Sequence, residues 1–342
     1  MVAHAISSSS VWLTAVSLVS LIALSSICDA SIVDTALINA EVEREIDLFS
    51  QVGTYVLDLK IENTGSREAA EFLLALPASM ANNLAYIEVE EGEEVDGNGV
   101  TALTPIITEA AGVPSNVTLF AVKFATPLAP GAAATLMVYA AFTNVMTPFP
   151  KEIIQSETQR VLYHDSHFFL SPYTTKSQKT IVKLPSSLVE SFSKEGATER
   201  GMNDDEIIYG PYTDVAPFSV SPMRLHFEHN AAFAHVTKLV REMTVSHWGN
   251  VAFRERYEVA HRGARLKGEF SRYALQRNAA ANGAASVRAF RAALPPGCRA
   301  VTYTDDIGNV STSHVRDDGE RTTVELTPRF PLFGGWSTRF AL

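Results

Sequence analysis

Cysteine is nearly absent, with Cys28 and Cys298 the only two in 342 residues. Cys28 falls inside an apolar N-terminal stretch that reads as a removable leader, which leaves a single thiol and no internal disulfide in the mature chain. The fold therefore rests on its apolar core and not on covalent staples. Cys298 follows a Pro-Pro-Gly turn with no histidine nearby, so it reads as a plain, partly buried cysteine and not as a nucleophile. Basic runs are missing too: Lys and Arg number 28 against 38 Asp and Glu, a formal charge of −10. A nucleic-acid partner would call for a basic stripe, so that class is set aside.

Chemical signatures are lacking as well. The chain contains no G-x-S-x-G, H-E-x-x-H, P-loop or C-x-x-C pattern, and nucleotide chemistry and metal-assisted hydrolysis lose their usual support. Catalytic residues scattered along a chain leave no such mark. No cofactor or metal is expected. Long apolar runs are confined to residues 11–27, which carry no charge and precede Cys28-Asp29-Ala30. Small residues at −3 and −1 of a cut after Ala30 make residues 1–30 a signal peptide, with the mature chain starting at Ser31 in the secretory pathway. No later run of about 20 apolar residues suggests a membrane-spanning helix.

What is present is alternation. Leu57, Leu59 and Ile61 alternate with Asp58, Lys60 and Glu62; Met223, Leu225 and Phe227 with Arg224, His226 and Glu228. Val251, Phe253, Tyr257 and Val259 run against Arg254, Arg256 and Glu258, and Val324 and Leu326 repeat the pattern. A period of two means strands with one dry face. Turn signals at 63–66, Pro130-Gly131, Tyr209-Gly210-Pro211 and Gly308-Asn309 separate them. The expectation is a mainly β protein of two antiparallel β-sandwich-like domains, 31–230 and 231–342, meeting near 229–233. Short helices are expected only at 187–196 and 269–278. Residues 88–99 read as a solvated acidic loop and 278–286 as a flexible Ala/Gly loop.

Candidate sites are few. His164 and His167, like His226 and His229, stand three apart. That spacing suits one metal on a helix, but on a strand it points the rings to opposite faces, so a structural role is read. Asp204-Asp205 and Asp305-Asp306 read as solvent-facing acids. His247-Trp248-Gly249-Asn250 reads as a structural corner: Trp248 packs over it, Gly249 supplies positive φ, and Asn250 bonds its own backbone. His247 has no nucleophile or orienting acid beside it in sequence. Asn116 and Asn309 head Asn-x-Ser/Thr sequons and are glycan acceptor candidates.

Several short motifs together carry a resemblance. "VSHWGNVAF" (245–253), "SPYTTKSQ" (171–178), "YGPYTDV" (209–215), "LKGEFSRY" (266–273), "DDIGNVSTSH" (305–314) and "RFPLFGGW" (329–336), with "INAEVEREIDL" (38–48) and "LLALP" (73–77), resemble the ribophorin I family in order and spacing. The resemblance implies a lumenal, endoplasmic-reticulum region of two β-rich domains, followed in the family by a transmembrane helix and a cytosolic tail. It implies a non-catalytic accessory subunit of the oligosaccharyltransferase, which moves a preassembled oligosaccharide from dolichyl pyrophosphate to Asn of Asn-x-Ser/Thr. Implied partners are the other subunits, the catalytic polytopic one included, with the translocon and nascent polypeptides as neighbours. Because "RFPLFGGW" is an internal motif in the family, the second domain is expected to be incomplete. Phe330, Phe333 and Trp336 are then either an interface patch or ordinary core. The alternative class, a secreted β-sandwich hydrolase or carbohydrate-binding protein, would need a cleft with convergent acids or a perturbed histidine.

Overall fold

One-sided strands dominate, as their alternation requires. The computed structural model describes residues 33–92, 100–196, 198–201, 205–277, 285–311 and 313–342. Along Gly53–Asn63 the buried positions are every second residue, with Leu57, Leu59 and Ile61 inside. Pro222–Glu228 likewise buries Met223, Leu225 and Phe227.

An eight-stranded sheet forms the spine. Its order is Thr198–Arg200, Glu206–Val215, Thr175–Lys183, Leu37–Asp47, Gly53–Asn63, Ala133–Phe142, Leu84–Glu91 and Thr101–Leu103. Neighbours run antiparallel except at the centre, where Leu37–Asp47 lies parallel to Thr175–Lys183. A three-stranded sheet (Ala69–Pro77, Val117–Leu128, Ile106–Thr108) and a four-stranded one (Val189–Phe192, Pro222–Glu228, Arg160–Ser166, Met146–Pro148) lie against its dry face. One hydrophobic cluster, drawn from residues 37–233, runs through all three. A second cluster, within residues 259–340, joins Val259 and Phe340 to Val324 and Leu326. It fills the space between the sheet Ala234–Val245, Val251–His261, Ser337–Ala341, Thr304–Asp305 and the sheet Phe290–Leu294, Thr322–Leu326, Ser313–Asp317.

Two expectations are corrected. Residues 187–196 do not form a helix: Val189–Phe192 is a strand on the edge of Pro222–Glu228. A register shift between Val189 and Ser191 sets Val189 opposite Phe227 and Phe192 opposite Leu225. Both side chains thus reach one face at a spacing of three, which imitates a helix. Tyr209-Gly210-Pro211 is not a turn between strands but lies inside Glu206–Val215, opposite the irregularity between Gln178 and Thr180. Gly210 has φ +98, and a Cβ there would sit 2.7 Å from the Gln178 carbonyl oxygen. The expected helix at 269–278 is present as Arg272–Arg277, and a four-residue turn of helix spans Ala78–Ala81. Residues 93–99 of the acidic loop and 278–284 of the Ala/Gly loop lie outside the described residues, as do the signal segment and Asp204.

The two clusters are joined by backbone and by one buried amide. Glu152–Ile153 pairs in parallel with Arg265–Leu266. Gln159, fully buried, donates to the carbonyls of His229 (3.0 Å) and Ala231 (3.2 Å) and accepts from the Ala264 N–H (2.8 Å). The chains approach so closely here that a Cβ on Gly334 would lie 1.9 Å from the Ala264 carbonyl oxygen. Gly334→Ala is therefore expected to destabilise by about 3 kcal/mol or more. Gly249→Ala meets no neighbour and should lose only about 1 kcal/mol from its positive φ. The denaturation midpoints of the two variants in urea check the contrast.

Candidate functional site

A cleft of about 330 Å³ opens between the spine and the sheets that cover it. Leu76, Met80, Phe168, Phe218 and Val220 contribute apolar wall. Arg44, Tyr55, Asp165 and Ser166 supply a polar floor. Arg44 comes from the centre of the spine and is 4% exposed. Its guanidinium donates to the Ser166 carbonyl (2.5 Å) and the Thr180 hydroxyl (3.3 Å) and faces Asp165 at 3.5 Å. The same carboxylate oxygen accepts from the hydroxyls of Tyr163 (2.7 Å) and Tyr55 (3.3 Å), while its other oxygen accepts from the Ser166 N–H (2.8 Å). The two tyrosine hydroxyls also touch each other. Burial, reinforced by the Asp165 charge, pushes both phenols well above their ordinary range. They stay protonated and act as donors.

This arrangement is suited to holding an apolar group over a fixed polar floor. His164 lines the cleft beside Asp165, but no hydrogen bond joins them, and the carboxylate is already engaged by four donors. A base-and-nucleophile pair within bonding reach, which acyl or glycosyl transfer would need, is not formed by these groups.

The histidine pairs separate, the first of each on a strand and the second one residue past its end. His164 is exposed, whereas His167 is buried with its ring 5.0 Å from Tyr209 and its nitrogens beside Ser221 and Ser193. His226 meets the Phe149 carbonyl, and His229 the Ser50 carbonyl. Among the described residues no group of three His, Cys, Asp or Glu side chains is placed to share a metal ion. His261 was not singled out from sequence, yet its Nδ1 accepts from the Gly263 N–H (2.8 Å) and its Nε2 meets the Ala285 carbonyl. Asp305 departs from the solvent-facing reading. Arg329 grips its carboxylate at 2.5 and 3.2 Å and holds it below the usual carboxylate range.

His247-Trp248-Gly249-Asn250 closes the hairpin between Ala234–Val245 and Val251–His261. The Ser246 N–H donates to the Asn250 carbonyl (2.7 Å), the Gly249 N–H to the Ser246 carbonyl (3.0 Å), and Gly249 has φ +83. The turn is as expected; the role given to Trp248 is not. It is 96% exposed and packs over nothing among the described residues, because the hairpin overshoots the facing sheet. Asn250 contributes its backbone carbonyl to the closure.

Phe270, Phe330 and Phe333 gather around Trp336, with ring centroids 5.4–5.9 Å apart in the pairs that meet. Phe333 is buried; Phe330 is 40% exposed. The set is a local aromatic packing group with an open rim. Asn116 is exposed on a turn whose carbonyl accepts from the Ala78 N–H, at the wall of the cleft. Asn309 is exposed, and Cys298 is a free, half-buried thiol.

The family model for Ribophorin I matches residues 37–342. The chain belongs to the ribophorin I family. Among curated relatives it is similar to dolichyl-diphosphooligosaccharide–protein glycosyltransferase subunit 1A of Arabidopsis thaliana, 44% identical over 90% of this chain and 50% of that one. Subunit 1B of the same plant is 43% identical over 90% and 66%, and subunit 1 of Caenorhabditis elegans 35% identical over 89% and 50%. The chain thus spans half to two thirds of the length of these relatives. No helix among the described residues is long and apolar enough to cross a membrane.

The cleft floor was the main feature missed from sequence. Its signal is nonetheless printed in "INAEVEREIDL", where Arg44 sits between Val42 and Ile46 in the alternation of a buried face. Arg44→Met is expected to strand a buried Asp165 and destabilise by about 3–5 kcal/mol. Tyr163→Phe, which removes one donor, should cost about 1 kcal/mol; chemical denaturation of both variants ranks them. Acid provides a second check. Burial lowers His167, His229 and His261 below the ordinary imidazole value. The unfolded chain therefore binds more protons as pH falls, and stability that is complete above about pH 6.5 declines below it. Thermal midpoints should fall between neutral and mildly acidic buffer, and His229→Gln should shrink that drop.

Proposed function

We propose that this chain is a non-catalytic accessory subunit of the oligosaccharyltransferase of the endoplasmic reticulum. That complex transfers a preassembled oligosaccharide from dolichyl pyrophosphate to the asparagine of Asn-x-Ser/Thr in nascent polypeptides. The observation that carries the reading is the family match over residues 37–342, together with relatives that bear the name of that enzyme's subunit 1. The engagement of Asp165 by Arg44 and two tyrosines leaves no free carboxylate in the cleft to orient His164, which supports an accessory role.

In this reading, residues 1–30 are the leader, and 31–230 and 231–342 are two lumenal domains. Asn116 and Asn309 carry glycans, and the partners are the other subunits, the catalytic polytopic one included, beside the translocon and nascent chains. Antibody against residues 33–342, used on mildly solubilised microsomes, should recover activity that glycosylates an Asn-x-Thr peptide. An inactive pellet, with all antigen free in the lumenal fraction, refutes the proposal. Peptide N-glycosidase should shift the recovered antigen in two steps, one lost in Asn116→Gln and the other in Asn309→Gln. A carbohydrate-binding or hydrolytic protein would instead show glycan affinity or turnover on its own.

A further inference from the structure

The hairpin that ends at Trp248 is amphipathic beyond the reach of the facing sheet. Cross-strand register places Val245 opposite Val251, Met243 opposite Phe253 and Leu239 opposite Tyr257 on one face, with the Arg241–Glu255 pair set between the last two. Glu242 opposite Arg254, Val240 opposite Arg256 and Lys238 opposite Glu258 make the other. Near the base the apolar face runs into the second hydrophobic cluster through Tyr257 and Val259. Toward the tip it is bare: Met243 is 62% exposed, Val245 65%, Phe253 53% and Val251 49%, with Trp248 at the apex.

Charge says what suits this tip. Arg241 is paired with Glu255 (2.6 Å) and Arg256 with Glu242 (3.2 Å), which stiffens the stem. Between Glu242 and Glu255, twelve residues contain no carboxylate, in a chain that carries 38. They do contain His247 and Arg254, and Arg254 has no carboxylate in ion-pair range among the described residues. The shape is a convex wedge two strands wide, too narrow to supply the roughly 800 Å² per partner of a stable protein interface. An apolar wedge with tryptophan at its apex and a cation behind it matches the interfacial zone of a bilayer, where indole is favoured and anionic headgroups attract Arg.

We propose that the tip formed by residues 243–254 docks into the surface of an anionic lipid bilayer, with Trp248 at the depth of the headgroup–acyl boundary and Arg254 on lipid phosphate. The docking is independent of any membrane-spanning segment and of the oligosaccharyltransferase assignment.

The test uses the mature chain from Ser31 with Trp336→Phe, which leaves Trp248 as the sole tryptophan and removes the apolar leader that would bind vesicles by itself. Vesicles of phosphatidylcholine and phosphatidylserine with brominated acyl chains are added. The proposal expects a blue shift and quenching of Trp248, with vesicle affinity reduced roughly fivefold or more by Arg254→Glu or by high salt. Should Trp336→Phe loosen its aromatic neighbours, the native mature chain minus a Trp248→Ser variant isolates the same signal, since Trp248 packs on nothing. Emission of a hydrated indole unchanged by vesicles overturns the proposal. So does a blue shift that rises with protein concentration alone, or one produced by an apolar polypeptide but not by lipid.

Discussion

A single irregularity in the central strand determines which charge this fold buries. The pairing of Leu37–Asp47 with Gly53–Asn63 slips between Asn39 and Glu41. Before the slip the buried residues are Leu37 and Asn39; after it they are Val42, Arg44 and Ile46. Without that bulge the alternation would turn Glu43 and Glu45 inward and Arg44 out. With it, one guanidinium enters the space between the sheets, where Asp165, Thr180 and the Ser166 carbonyl receive it. Glu43 and Glu45 instead face Lys179 and Lys183 across the parallel pair on the wet side. The cleft floor, the raised tyrosines and the register of the spine are three expressions of that one offset.

How much of this could be read from sequence depends on the range of the information. Strands such as Gly53–Asn63 were legible because one face is dry and the other wet, a signal contained within the strand. The hairpin at Gly249 was legible for a similar reason, since its positive φ is a local demand. Bulges defeat that reading. Val189–Phe192 looked helical, and Gly210-Pro211 looked like a turn, because an extra residue changes the period at the point where the pattern is read. The cleft was illegible as a site, since its lining comes from separate stretches between Arg44 and Val220 that only the sheet order brings together. Trp248 misled in another way: aromatic residues are assumed to pack, and here the partner surface ends before the tip.

The join between the two clusters is built from polar groups and close backbone, in contrast to the apolar interiors on either side. Gln159 bridges carbonyls of one segment and the Ala264 amide of another, while Gly263 and Gly334 admit no side chain. Such a join holds orientation through directional bonds, and its tolerance to substitution is correspondingly small. The aromatic group of Phe270, Phe333 and Trp336 lies beside it and fixes the segment that carries Gly334.

The parallel pair at the heart of the spine also sets a clock. Asn39 is partnered by Thr175, so the strand made first must wait for 136 further residues before its second edge is filled. At roughly 5–20 residues per second of synthesis, that is about 7–27 seconds during which a central, one-sidedly apolar strand has one open edge. Gly53–Asn63 can cover the other side almost at once. The growing chain therefore passes through a stage in which five of the eight spine strands are made and Leu37–Asp47 is an open edge, and its successful assembly depends on that edge being kept from neighbouring chains until residues 175–183 arrive.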